Sequence, residues 1–321
     1  MAGPVAERPA APAGVRPYLL LAALIAVGGT NWGVLKTVLA QVSPLGFAAL
    51  SVAAACAAMF ALAGLAGALA LPGRADLVPV AAVGLLQIAA YTLLIFFGLR
   101  LVEAGRSAIL ASTMPIWVAP GAALFLGERL GRRMVAALGL AALGLAVLFL
   151  PTAVDWGDGR VVLGNGLLLL AAIAWAATIL ALRGHRWRRS PLALAPWQLA
   201  LATAAIAPLA FGLEGWDNFA WSPTVLAALA WNALAGTAFA VWATVEVARA
   251  LPAVTTSMGL LGIPVAATLT GAAVLDEPLT ASIILGLGLI LVGNVCLALA
   301  GRGRRGCAGA AIVKVERHFT K

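Results

Sequence analysis

Residues 28–36 read GGTNWGVLK, and three of them carry groups that a purely apolar helix does not need: Thr30, Asn31 and Lys36. An amide such as Asn31 either bonds to a neighbouring helix or faces a wet cavity. The adjacent glycines would let a ligand or a partner helix reach the backbone, which favours cavity lining. Lys36 falls about 27 Å along a helix from Tyr18. There it either snorkels to an interface or sets its ammonium at the mouth of a cavity, where it would attract anions or pair with a carboxylate. Gln87 and Tyr91 are four apart and share a helix face, which suits a pathway wall or a helix–helix hydrogen bond. Trp117, Trp175 and Trp242 are flat surfaces that pack a core or wall a cavity for amphipathic molecules. Asn232 adds an amide to the eighth apolar stretch. These residues form the candidate substrate-binding set.

Catalysis is a poor fit. A membrane enzyme needs a nucleophile with its base, a histidine cluster or a carboxylate-rich metal site. The two histidines, His185 and His318, lie in basic segments, and no H-E-x-x-H or phosphate-binding loop is present. Cys56, Cys296 and Cys307 lack metal-ligand spacing and read as packing residues. No metal and no cofactor is expected. Among the carboxylates, Glu246 lies three before Arg249, which predicts a local ion pair, with a proton-coupling role as the sharper alternative. Glu128 and Glu277 are expected to cap the fifth and tenth spans. Pro115 and Pro264 should bend the spans that contain them.

These residues must be positioned by a bundle in lipid. The 321-residue chain is 63% hydrophobic and 10% charged, with mean hydropathy +1.03. A water-soluble globule has too little interior for that much apolar surface. A helix crosses the hydrocarbon core with about 20 apolar residues. Apolar runs near 18–39, 46–70, 77–98, 104–127, 131–150, 161–182, 192–213, 223–248, 254–275 and 279–300 predict ten such helices. No two-residue alternation runs through them, so the expected fold is an all-α polytopic membrane protein and not a barrel. The net charge of +9 does not point to nucleic acid, because the basic residues sit in short clusters between runs. Most of the 21 lysines and arginines fall on one side if both termini are cytoplasmic and the number of crossings is even. The expected partners are the bilayer and a small-molecule substrate, with the protein a monomer or homodimer.

The chain also repeats itself. Residues 99–150 align without a gap onto 248–299, pairing Arg100 with Arg249, Pro115 with Pro264, Glu128 with Glu277 and Gly144 with Gly293. Apolar matches are cheap in such a chain, whereas this ordered set of Arg, Pro, Glu and Gly is not. The layout is a cytoplasmic tail over 1–17, a five-helix repeat over 18–150, a second over 161–300 and a basic tail over 301–321. Five is odd, so the second copy should enter the membrane inverted, a recurring plan of secondary transporters.

At these motifs the chain resembles the drug/metabolite transporter superfamily, EamA type. GGTNWGVLK is similar to that family's opening motif. MPIWVAPGAALFLGERL and IPVAATLTGAAVLDEPLT resemble its paired Pro…Gly-Glu-x-Leu ends. Two positions depart from the pattern: Gly28 stands where the family has Trp, and Ser51 stands near the place of a frequent arginine. The resemblance implies ten helices, a central cavity, and transport of small metabolites without ATP hydrolysis. Export is the expected direction, and a membrane scaffold without a pathway is the competing reading.

Overall fold

The computed structural model describes residues 15–128, 130–150, 152–182, 189–214, 219–251 and 253–299. Every regular element among them is helical. In chain order they are α1 (Val15–Leu39), α2 (Pro44–Leu65), α3 (Arg74–Leu101), α4 (Ala104–Ala111) and α5 (Met114–Leu126). There follow α6 (Arg132–Leu148), α7 (Gly159–Ala181), α8 (Pro191–Leu209, extended by a π turn), α9 (223–250), α10 (Ala253–Leu260), α11 (Gly262–Leu275) and α12 (Ala281–Leu299). Among the described residues, eight segments are long and apolar enough to cross a bilayer, counting α4 with α5 as one. Large side chains such as Phe125, 80% exposed, and Val274, 73% exposed, point away from the bundle, as a lipid-facing surface allows.

Local signals set the helix starts. Ser43, Ser190 and Ser222 are N-caps whose hydroxyls accept from Gly46, Ala193 and Val225, and each is followed by proline in the first turn. The expected bends at Pro115 and Pro264 take another form. Each proline sits in the first turn of a new helix, α5 or α11, and the chain breaks just before it, at Ser112–Thr113 and at Leu261. A proline tolerates a first turn, where its missing N–H is not needed, better than a helix interior.

The two halves repeat in conformation as well as sequence. α3 contains a π segment over Ala82–Ala90, and α9 contains one over Trp231–Phe239, 149 residues later at both ends. α5 ends at Gly127 and α11 at Asp276, again 149 apart and both left-handed. Packing is reciprocal. α1 packs on α9 and α11, while α7 packs on α3 and α4–α5; α2 packs on α8. α6 crosses α12 through small residues, with Gly144 against Gly286 and Ile290, and Gly293 against Ala141. Gly64 and Gly67, by contrast, meet nothing within 4 Å. Gly67 serves instead as the left-handed end of α2.

Candidate functional site

One end of the bundle gathers the ends of several helices around the α3–α4 turn, Val102–Glu103. Glu103 is the N-cap of α4, yet its side chain caps nothing. The cap comes from Glu277, whose carboxylate accepts from the Ala104 N–H at 2.6 Å and the Gly105 N–H at 3.0 Å. Glu277 therefore caps a helix in the other half of the chain, and not α12 as expected. The N-cap of α6 is Gly131, with the helix starting at Arg132, so Glu128 is not its N-cap residue.

On the other side of the turn, Lys36 Nζ donates to the carbonyls of Leu99 at 2.8 Å and Val102 at 2.5 Å. Lys36 turns inward and does not snorkel. A cation there satisfies the last carbonyls of α3, and an anion satisfies the first N–H groups of α4.

Arg106, one turn into α4, is 4% exposed. Its Nε donates to Asn165 Oδ1 at 2.8 Å, Nη1 to the Ala153 carbonyl at 2.9 Å and Nη2 to the Leu148 carbonyl, with Phe149 under the guanidinium. Sequence reasoning does not single out Arg106 as a functional residue. The usable signal is an arginine at the third position of the apolar run 104–127, far from the basic clusters between runs.

Midway along the bundle, Asn31 Nδ2 donates to Asn232 Oδ1 at 3.0 Å, inside the π segment of α9, with Gly236 beneath it. Asn31 is thus a helix–helix contact, and its Oδ1 is buried without a donor among the described residues. The matching contact lies in the other half, where Thr178 on α7 donates to the Ala82 carbonyl at the start of the π segment of α3. π turns inside α-helices leave backbone groups out of the regular ladder. In α3 the Ala82 carbonyl accepts from Thr178, whereas in α9 the Asn232 side chain accepts from Asn31. On the same α3 and α7 helices, Tyr91 stands edge-on to Trp175 with ring centroids 4.7 Å apart.

The candidate set does not converge on one cavity. Gln87, half-buried, lies within the π segment, so its expected face-sharing with Tyr91 is set by a wider turn. The Trp117 indole donates to Thr113 of the same segment, and Trp242 lies against Phe239. A groove of about 470 Å³ runs along α1 between α9 and α11, and Thr30 is the candidate that lines it. The Thr30, Thr37 and Thr270 hydroxyls in its wall donate to carbonyls of their own helices. The expected Glu246–Arg249 pair involves an arginine side chain outside the described residues, as do His185, His318 and Cys307.

The opposite end carries a different clasp. Arg189 Nε lies 3.3 Å from Asp76 Oδ2, which also accepts from the Gly73 N–H, and the Trp197 indole donates to the Ala70 carbonyl.

Comparison with known proteins agrees with this arrangement. Residues 16–150 and 162–299 each match the EamA-like transporter family. An uncharacterized transporter of Bacillus subtilis, YoaV, is 25% identical over 63% of this chain and 69% of its own length. An uncharacterized protein of Pseudomonas aeruginosa is 34% identical over 59% of this chain and 63% of its own length. An uncharacterized transporter of Archaeoglobus fulgidus is 24% identical over 68% of this chain and 76% of its own length. A solved crystal structure shares the fold, with a TM-score of 0.60 and 21% identity across 89% of this chain and 98% of that one. With both halves matched, the chain belongs to the EamA-like transporter family and is a multi-pass membrane transporter.

Proposed function

We propose that the protein is a secondary transporter that moves small organic molecules across the cytoplasmic membrane by alternating access, in the direction of export. In this reading ten crossings form two inverted five-helix repeats, and both termini are cytoplasmic. α6 and the α10–α11 pair serve as the fifth and ninth crossings.

The observation that carries the reading is the duplicated geometry: paired π segments and paired left-handed helix ends at one constant offset, with reciprocal packing of α1 and α7. Two like halves that pack reciprocally can exchange conformations, which gives inward-open and outward-open states of similar energy. Orientation follows the basic residues. Arg74, Arg132, Arg133 and Arg189 belong to the Asp76 end, which is placed in the cytoplasm, so the Lys36 end is outside.

The substrate surfaces in this reading are the facing polar and aromatic groups of α1, α3, α7 and α9: Asn31, Gln87, Tyr91, Trp175 and Asn232. They carry no full charge, which suits neutral or amphipathic organic solutes. The test is uptake of a panel of radiolabelled metabolites into proteoliposomes with and without a proton gradient. Saturable flux above empty liposomes supports the reading, and no flux across a broad panel refutes it.

A further inference from the structure

The α3–α4 turn is held from two directions by groups of opposite charge. Lys36 comes from α1, in the first repeat, and binds the carbonyls that end α3. Glu277 comes from the α11–α12 turn, in the second repeat, and binds the N–H groups that start α4. Each sign matches the helix end it meets: cation at a C-terminus, anion at an N-terminus. Arg100 lies in the last turn of α3 and Glu103 is the N-cap of α4, but no side-chain cap hydrogen bond comes from Glu103. Val102 and Glu103 are extended.

Two local features bring Glu277 onto α4. Asp276 ends α11 in the left-handed region at φ 54°, which non-glycine residues seldom adopt, and this turns the chain back over the helix. A Cβ on Gly271 would lie 2.4 Å from Glu277 Oε2, so a glycine leaves the space through which the carboxylate reaches α4.

We propose that Lys36 and Glu277 form a latch that closes the outer end of the transporter, and that outward opening requires its release. All of its hydrogen bonds run between different helices. Moving α1 and the α11–α12 turn away from the α3–α4 turn therefore breaks them together. α1 also packs directly on α3 and α4 in this arrangement, so a pathway between these helices is shut at this end. The Asp76–Arg189 contact lies at the opposite end and is untouched by that motion. The inference rests on the alternating-access reading and names the contact that sets which side is closed.

The test is a distance measurement on the full chain in lipid nanodiscs. Spin labels are attached at Arg100→Cys and Leu279→Cys, both exposed, after Cys56, Cys296 and Cys307 are replaced by alanine. Electron–electron double resonance then reads the separation across the outer end. In the labelled parent the closed, short separation dominates. Glu277→Gln keeps the shape and removes the charge, and should raise the ratio of long to short separations roughly tenfold. Lys36→Gln should act in the same direction, and Gly271→Ala should do so by displacing the carboxylate with both charges intact. These give three independent routes if one variant does not fold. Two populations in the parent whose ratio none of the variants changes would overturn the latch and leave alternating access standing. A single, identical separation in the parent and every variant would overturn both.

Discussion

Arg106→Met tests how the Lys36 end of the bundle is built. The substitution keeps most of the side-chain volume and removes every donor. Three acceptors lose their partner: the Asn165 amide oxygen and the Leu148 and Ala153 carbonyls. The arginine is 4% exposed, so water cannot fully replace it. A hydrogen bond to a charged group contributes about 1.5–3 kcal/mol, and a buried acceptor left alone costs about 1–3 kcal/mol. Some of this is recovered, because the buried guanidinium carries its own desolvation cost. A net loss of roughly 3–5 kcal/mol is expected. The assay is reversible denaturant unfolding in detergent, followed by tryptophan fluorescence, with thermal unfolding as a check. Arg100→Met is the control: it removes a charge from the exposed end of α3 and should stay within about 0.5 kcal/mol of the parent. An Arg106→Met protein as stable as the control would refute the claim that this guanidinium ties α4 to α6 and α7.

Further expectations follow from close contacts. A Cβ at Gly29 would sit 2.3 Å from that of Ala266, so Gly29→Ala should push α1 off α11 and cost about 1–3 kcal/mol. Gly139→Ala, with nothing within 4 Å, should be neutral or slightly stabilising in the same unfolding assay. A double-mutant cycle over Asn31→Ala and Asn232→Ala should give a coupling near 0.6–1.7 kcal/mol, and zero coupling would show that the two amides do not bond.

The parts of this architecture that were legible in the sequence are those written in local pattern. The apolar runs gave the helices, because a bilayer imposes a length on each. The repeat was legible because Arg100, Pro115, Glu128 and Gly144 have partners at one offset among cheap apolar matches. The site was less legible, for a physical reason. Glu277 finds its partners 172 and 173 residues away, and Lys36 finds its own 63 and 66 away. A helix-capping rule applied along the chain assigns such a carboxylate to the nearest helix start. The bonds it makes here depend on a left-handed Asp276 and a missing Cβ at Gly271, neither of which has a periodic signature. The π segments were also hidden, because residues such as AVGLLQIAA fit an ordinary α-helix equally well. Arg106 does not stand out in the sequence because the carbonyls that bind it belong to α6 and the loop after it.

Flux through a reversibly locked outer end tests the central claim most directly. The chain carrying Arg100→Cys and Leu279→Cys is reconstituted in liposomes and joined by a reducible bifunctional thiol reagent, and exchange of a metabolite transported by the unlocked protein is followed. The account predicts that cross-linking stops exchange and that reduction restores it. Exchange that continues at the parent rate with the cross-link formed would contradict it.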